Sequence, residues 1–372
     1  MKILMVCPDW FPFSAGLAES CYNTCKQLEK HGHSVRVIVA KDENVDHKDL
    51  EVIEIPYAIR LLGRNPIALN LWHKVKSHVE WGDVVCLFSY MYEMNSRLVW
   101  FRKIGKFQKP IVHFYRGSLE SDASASLGPV TKLAKIIYDR TCGALMFKHV
   151  DHTISNSGPT LEVIKKQYGV PAEKLSYVKN ALNSDKYPKW RKENKNIIFV
   201  GRLIENKGVK LFENIIKVIP PSWNFIIVGD GPMEDEVNEL ASRYKNIIVK
   251  GKVSHKECMK LVSESDINIL PTYAEGSPRT VMEASASGIP SISFAVGDVI
   301  NTIPKECGYA IKPFDIDDFC DKLKKLIENK SLRQRMGKKA KTFAEKELGW
   351  NNIYPKIEKV LQKYFNDNSR GA

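Results

Sequence analysis

Short apolar runs alternate with longer amphipathic stretches along this 372-residue chain, and that alternation predicts its architecture. Residues 2–7, 35–40, 51–56, 83–89, 111–115, 151–155 and 174–179 read as buried strands, with helical patterns at 17–31, 66–81, 97–109 and 129–149. Residues 183–194, N-S-D-K-Y-P-K-W-R-K-E-N, are polar and contain a proline, which marks a linker. The alternation then restarts, with strands at 196–200, 225–228, 246–250, 266–270 and 291–294. Helical patterns follow at 208–219, 233–244, 254–264 and 279–287, and helices at 315–329, 331–347 and 351–365 close the chain. Two rounds of strand and helix predict two doubly wound α/β domains, residues 1–185 and 186–350, followed by a last helix in 351–372. In such sheets ligands bind beyond the carboxyl ends of the strands.

One stretch on that rim carries the most chemistry. Residues 271–290 read P-T-Y-A-E-G-S-P-R-T-V-M-E-A-S-A-S-G-I-P. Pro271 ends a strand, and Gly276, Ser277 and Pro278 lead into a helix with Ser277 as N-cap and Pro278 as first helical residue. Gly288 and Pro290 stop that helix. Its N-terminal N–H groups form an anion site, flanked by Glu275 in the loop and Glu283 in the first turns. Acidic residues beside a helix start also have a bland explanation, the helix dipole. A second loop between strand and helix, Gly201-Arg202 through Lys207-Gly208, adds two cations. Together the loops suit a ligand with a diphosphate and several hydroxyls.

Composition narrows the setting. The chain is 44% apolar and 27% charged, ordinary for a globular protein, and no apolar run approaches the roughly 18 residues of a membrane span. The N-terminal run lacks a signal-peptide cleavage pattern. The eight cysteines include no Cys-x-x-Cys pair and suggest reduced thiols in a cytoplasmic protein, not a disulfide frame or zinc site. Net charge is +13, and residues 97–148 hold ten Lys/Arg against three Asp/Glu. There Arg102, Lys103, Lys106 and Lys109 lie among Trp100, Phe101 and Phe107. This basic face suits either an anionic membrane surface or simple dispersion in solution. The Asp315-Ile316-Asp317-Asp318 run resembles a metal motif, but helix capping explains it better, and no metal is expected.

The second half resembles glycosyltransferase family 4, retaining enzymes of the GT-B fold. The resemblance lies in V-G-R-L-I-E-N-K-G-V (200–209), V-G-D-G-P (228–232), G-K-V-S-H-K-E (251–257) and E-G-S-P-R-T-V-M-E-A-S-A-S-G-I-P (275–290). The first half matches through S-A-G (14–16), K-H-G-H-S-V (30–35) and R-G-S (116–118). The resemblance implies two Rossmann-like domains facing a central cleft, with the C-terminal helix crossing back to the first. It implies a nucleotide-sugar donor as substrate, no cofactor, and a glycan or lipid-linked acceptor. Arg202 and Lys207 would hold the donor diphosphate, Glu283 the ribose hydroxyls, and Glu275 the donor sugar. Gly276, Ser277, Pro278, Arg279 and Thr280 would cap the phosphates, Gly16 would let its loop approach, and Val253 and Ser254 would lie by the base. His113 and Arg116 are the acceptor-side candidates. Arg116 stands where many members carry histidine, and the family's Gly-Gly is here Ala15-Gly16. Two rival readings are a nucleotide-sugar epimerase on the same architecture and a non-catalytic nucleic-acid binder. The chain has no recognisable nucleic-acid module, so no nucleic-acid partner is expected.

Overall fold

The computed structural model describes the chain except residues 13–15, 62–64, 91, 117–128, 191 and 370–372. It divides into two compact units. One gathers the described residues of Met1–Gly117, Gly128–Lys179 and Ile353–Ala372, and the other those of Asn180–Asn352.

The first unit holds strands β1 (Lys2–Val6), β2 (Ser34–Ala40), β3 (Glu51–Ile55), β6 (Val84–Phe88), β7 (Ile111–Tyr115), β8 (His152–Ser155) and β9 (Leu175–Tyr177), with β4 (Ile59–Leu61) and β5 (Asn65–Ile67) as a small antiparallel pair. The seven pair in parallel in the order β3-β2-β1-β6-β7-β8-β9. Every residue of β6 and β7 is buried, as expected of strands covered by helices on both faces. The second unit holds β10 (Asn196–Val200), β11 (Asn224–Val228), β12 (Ile247–Gly251), β13 (Ile267–Leu270), β14 (Ser291–Phe294) and β15 (Gly308–Ile311), again parallel, in the order β12-β11-β10-β13-β14-β15. In each sheet the chain first builds outward to one side, then returns and builds to the other. The crevice where the strand order reverses lies between β1 and β6 in the first sheet and between β10 and β13 in the second, and such crevices bind ligands.

The last helix, Trp350–Ser369, returns to the first unit from Ile353 onward. Tyr354 stacks on His31 with ring centroids 3.7 Å apart and hydrogen-bonds with His33, while the Tyr364 hydroxyl donates to the Asp151 carbonyl.

Several local expectations need correction. Residues 180–185 belong to the second unit, because Leu182 is buried in its core and its N–H donates to the Leu348 carbonyl. The polar stretch 183–194 is docked rather than loose: Tyr187 is buried, and Asp266 accepts from Trp190 Nε1 and the Asn194 N–H. Residues 66–81 divide into the end of β5 and a helix Leu71–Trp81. The basic helix spans Glu93–Lys103 rather than 97–109, since Gly105 takes a φ of +79° that ends it. The pattern at 208–219 is a 3₁₀ turn followed by a short helix, Phe212–Ile216. Strand β15 went unpredicted, because four residues just after a proline-bearing loop carry too little periodicity. Asp315 does cap its helix, accepting from the Asp318 N–H at 3.1 Å. All eight cysteines are unbridged.

Candidate active site

The second crevice assembles most of the donor-side residues. The loop after β10 carries Arg202 and Lys207, and the loop after the neighbouring β13 carries Glu275. The two loops are tied directly: Asn206 O accepts from Thr272 Oγ1 at 3.0 Å and from the Tyr273 N–H at 2.9 Å. Two glycines make the approach possible. A Cβ on Gly208 would lie 1.9 Å from the Pro271 carbonyl oxygen, and one on Gly297 would lie 1.6 Å from that of Glu275. Both take positive φ, so any side chain there would also strain the backbone. The loop bearing Glu275 is thus held from both sides, with the Gly297 turn packed against it.

Lys207 Nζ and a Glu275 carboxylate oxygen form an ion pair across the crevice, with both side chains largely buried. Arg202 is exposed, and among the described residues its guanidinium has no ion-pair partner. One cation is therefore matched inside the protein and the other is open to an anion.

Glu283 lies in the helix Arg279–Ser287 and is only 5% exposed. Its Oε1 faces Arg279 Nη2 at 3.4 Å, His255 Nε2 at 3.3 Å and the Tyr187 hydroxyl at 3.5 Å. All three are longer than the ordinary range of roughly 2.7–3.2 Å. A buried carboxylate held this loosely keeps capacity for further hydroxyl donors.

The helix start differs from expectation. Pro278, not Ser277, is the N-cap; it holds an extended ψ of 100°, and no side chain caps the helix. Ser277 Oγ instead points to the Met282 sulfur at 3.8 Å. The N–H groups at Arg279 and Thr280 therefore lack a side-chain cap, as an anion site requires. Ser254 caps the helix His255–Ser263 by accepting from the Glu257 N–H at 3.2 Å, and Val253 stands beside it after β12. Gly16 opens the helix Gly16–Lys30, while Ser14 and Ala15 lie outside the described residues.

On the first sheet, His113 is fully buried inside β7, with Nε2 3.0 Å from the Ser89 carbonyl. Burial pulls its pKa down to about 4, so it is neutral at pH 7. As an acceptor-side candidate it therefore differs from Arg116, being sealed inside the sheet and facing no solvent. Arg116 follows β7 at the rim, and its companions Gly117 and Ser118 lie outside the described residues. His152 is structural, bonded to Ser176 and Tyr364.

Sequence reasoning missed several contributors. His255 sits inside the G-K-V-S-H-K-E stretch and could have been noticed there; Tyr187 comes from the supposed linker and carries no local signal. On the first rim, Asp9, Asp42 and Tyr92 follow β1, β2 and β6. Arg60 bridges Asp9 and Asp42, and Tyr92 donates to Asp9 at 2.5 Å. This network fixes the loop after β1 but was invisible in sequence, since its members lie up to 83 residues apart. A cavity of about 340 Å³, lined among others by Trp190, Asp266, Pro290 and Lys341, lies at the opposite, amino-terminal ends of β13 and β14, away from this chemistry.

Comparison with known proteins now decides the family. Residues 182–343 match the family described as Glycosyl transferases group 1, and residues 14–186 match Glycosyltransferase Family 4. The chain belongs to glycosyltransferase family 4. It is 28% identical to an uncharacterised glycosyltransferase of Methanocaldococcus jannaschii over 72% of this chain and 71% of that protein. It is 24% identical to the capsular polysaccharide biosynthesis glycosyltransferase CapM of Staphylococcus aureus over 54% of each. Among solved structures, HepE of Anabaena in complex with UDP superposes with a TM-score of 0.79 at 17% identity, covering 98% of this chain and all of that one. WaaG, a glycosyltransferase involved in lipopolysaccharide biosynthesis, gives 0.70 at 18% identity, covering 96% and 98%. The fold is GT-B, the protein is a glycosyltransferase, and the proteins it resembles in sequence include an enzyme of capsular polysaccharide biosynthesis.

Proposed function

We propose that this glycosyltransferase moves a sugar from a nucleotide-sugar donor to a glycan or lipid-linked acceptor in cell-surface polysaccharide or lipopolysaccharide synthesis, with retention of anomeric configuration and without a metal. The observation that carries the donor reading is the crevice between β10 and β13. It sets Arg202, Lys207 and an uncapped helix start beside Glu275 and the under-bonded Glu283. The complexes of HepE with UDP and UDP-glucose support it. In the proposed step the bond from the sugar's anomeric carbon to the phosphate oxygen breaks, and one to the acceptor oxygen forms on the same face. The acceptor proton passes to the departing phosphate. Preset cations and N–H dipoles meet the charge that develops there. A thermal-melt screen of nucleoside diphosphates, run with and without EDTA, tests this. A ligand at 100 times its Kd stabilises by about 2.7 kcal/mol, a readily measured upward shift that EDTA should not change. No shift with any nucleoside diphosphate would remove the donor site from this crevice.

No described helix is long and apolar enough to cross a membrane. We propose peripheral contact instead, cytoplasmic in setting, through a smaller face than the sequence suggested. Arg102 leaves the set because it pairs with Asp151, and Phe101 and Phe107 are buried. What stays exposed is Trp100 and Ile104 beside Lys103, with Leu133, Ile136 and Ile137 on the helix Pro129–Tyr138. Lys103, Lys106 and Lys109 at about 1 kcal/mol each would strengthen binding to anionic vesicles roughly a hundredfold. Changing all three to glutamine should abolish co-sedimentation at low salt. Equal sedimentation of variant and wild type would leave the patch as a means of dispersion.

A further inference from the structure

The least explained charge in the first unit is Arg116. It stands at the carboxyl end of β7, and its Nε is shut off from solvent with no hydrogen-bond partner among the described residues. Among the described residues its guanidinium donates once, from Nη1 to its neighbour's carbonyl, Tyr115 O, at 3.3 Å. The guanidinium lies 5.4 and 5.7 Å from the ring centres of Phe88 and Phe114, and no carboxylate among the described residues pairs with it. Burial draws its pKa down to about 10, which still leaves it charged at neutral pH. An unpaired buried cation is costly, and aromatic faces return only part of that cost. Two further buried polar atoms of this region lack partners among the described residues, Asn156 Oδ1 just after β8 and His113 Nδ1 in the middle of β7. Yet Arg116 as a whole keeps partial exposure, so a ligand can reach it.

We propose that Arg116 receives an anionic group, a phosphate or a carboxylate, carried by the sugar acceptor at the rim of β6, β7 and β8. The acceptor would then be a phosphorylated or uronic-acid-containing glycan or glycolipid. This rests on the glycosyl-transfer reading above. Planar, bidentate recognition of such oxyanions is what a guanidinium does best, and a desolvated one does so most strongly.

The test uses the full chain with Arg116→Met, which keeps the apolar contact, and Arg116→Lys, which keeps the charge. Melting is followed with inorganic phosphate, with D-glucuronate, and with chloride at equal ionic strength. Phosphate held by Lys207 and Arg202 raises wild type and variants alike, so the readout is the difference between them. The expected result is a wild-type response to phosphate or glucuronate at least threefold larger than that of R116M, with R116K between. Without added anion, R116M should melt no lower than wild type, because a buried unpaired charge has been removed. The nucleoside diphosphate that protects wild type should bind R116M within about threefold. No Arg116-dependent response to either anion would overturn the proposal. So would a tenfold loss of nucleotide affinity in R116M, since the anion would then belong to the donor. An Arg116-dependent anion response with no response to any nucleotide would instead overturn the transfer reading and leave the anion site standing.

Discussion

Replacing Lys207 with alanine should lower turnover by roughly 10²–10³, and replacing Arg202 should do the same, the usual loss when one preset charge aimed at a leaving group is removed. Their effects on stability should differ. Arg202 is exposed and has no ion-pair partner among the described residues, so Arg202→Ala should melt with wild type. Lys207 pairs with Glu275, whose side chain is only 12% exposed. Lys207→Ala therefore strands a carboxylate away from water and should cost about 1–3 kcal/mol. The double variant Lys207→Ala/Glu275→Gln removes that stranded charge. It should regain most of the stability while its turnover stays low. Steady-state rates and melting curves on the four proteins check this. Wild-type turnover in both single variants would misplace the site, and turnover restored in the double variant would mean that Lys207 acts only by neutralising Glu275.

Much of this arrangement was legible because the relevant signals are local. The loops after β10 and β13 could be found from apolar runs of four or five residues ended by Gly201 and Pro271, and doubly wound topology places such loops on one rim. That the two loops serve one ligand was legible, but the direct ion pair of Lys207 with Glu275, 68 residues apart, was not. What stayed hidden depends on tertiary contact. Tyr187 reaches Glu283 from a stretch whose polarity suggested a loose linker, and Asp266, which anchors that stretch, reads as an ordinary strand-start acid. The basic helix was overextended because Phe107 continues the apolar stripe in sequence, although Gly105 has already turned the chain. His113 was an acceptor-side candidate, but its strand runs buried through its whole length, and only the solvent boundary shows that it is sealed.

The carboxylate pair should separate binding from turnover. Glu283→Gln keeps the shape but weakens the acceptor for donor hydroxyls and for Arg279 and His255 alike. A hydrogen bond to a charged group is worth about 1.5–3 kcal/mol, so donor affinity should fall roughly 10- to 100-fold, with a smaller change in kcat. The folding cost should be small, because the three contacts to Oε1 are already 3.3–3.5 Å long. Glu275→Gln should act the other way. It removes the counter-charge from Lys207, which is then available to the diphosphate without first giving up a carboxylate. Donor affinity should hold or tighten while kcat drops, since in the proposed site the group that would face the reacting sugar has lost its charge. Calorimetric titration of the nucleoside diphosphate, set beside kcat for each variant, measures both quantities separately. If Glu275→Gln weakens nucleotide binding and Glu283→Gln leaves it intact, the two roles are exchanged. The uncapped helix start would then sit nearer the sugar than the ribose.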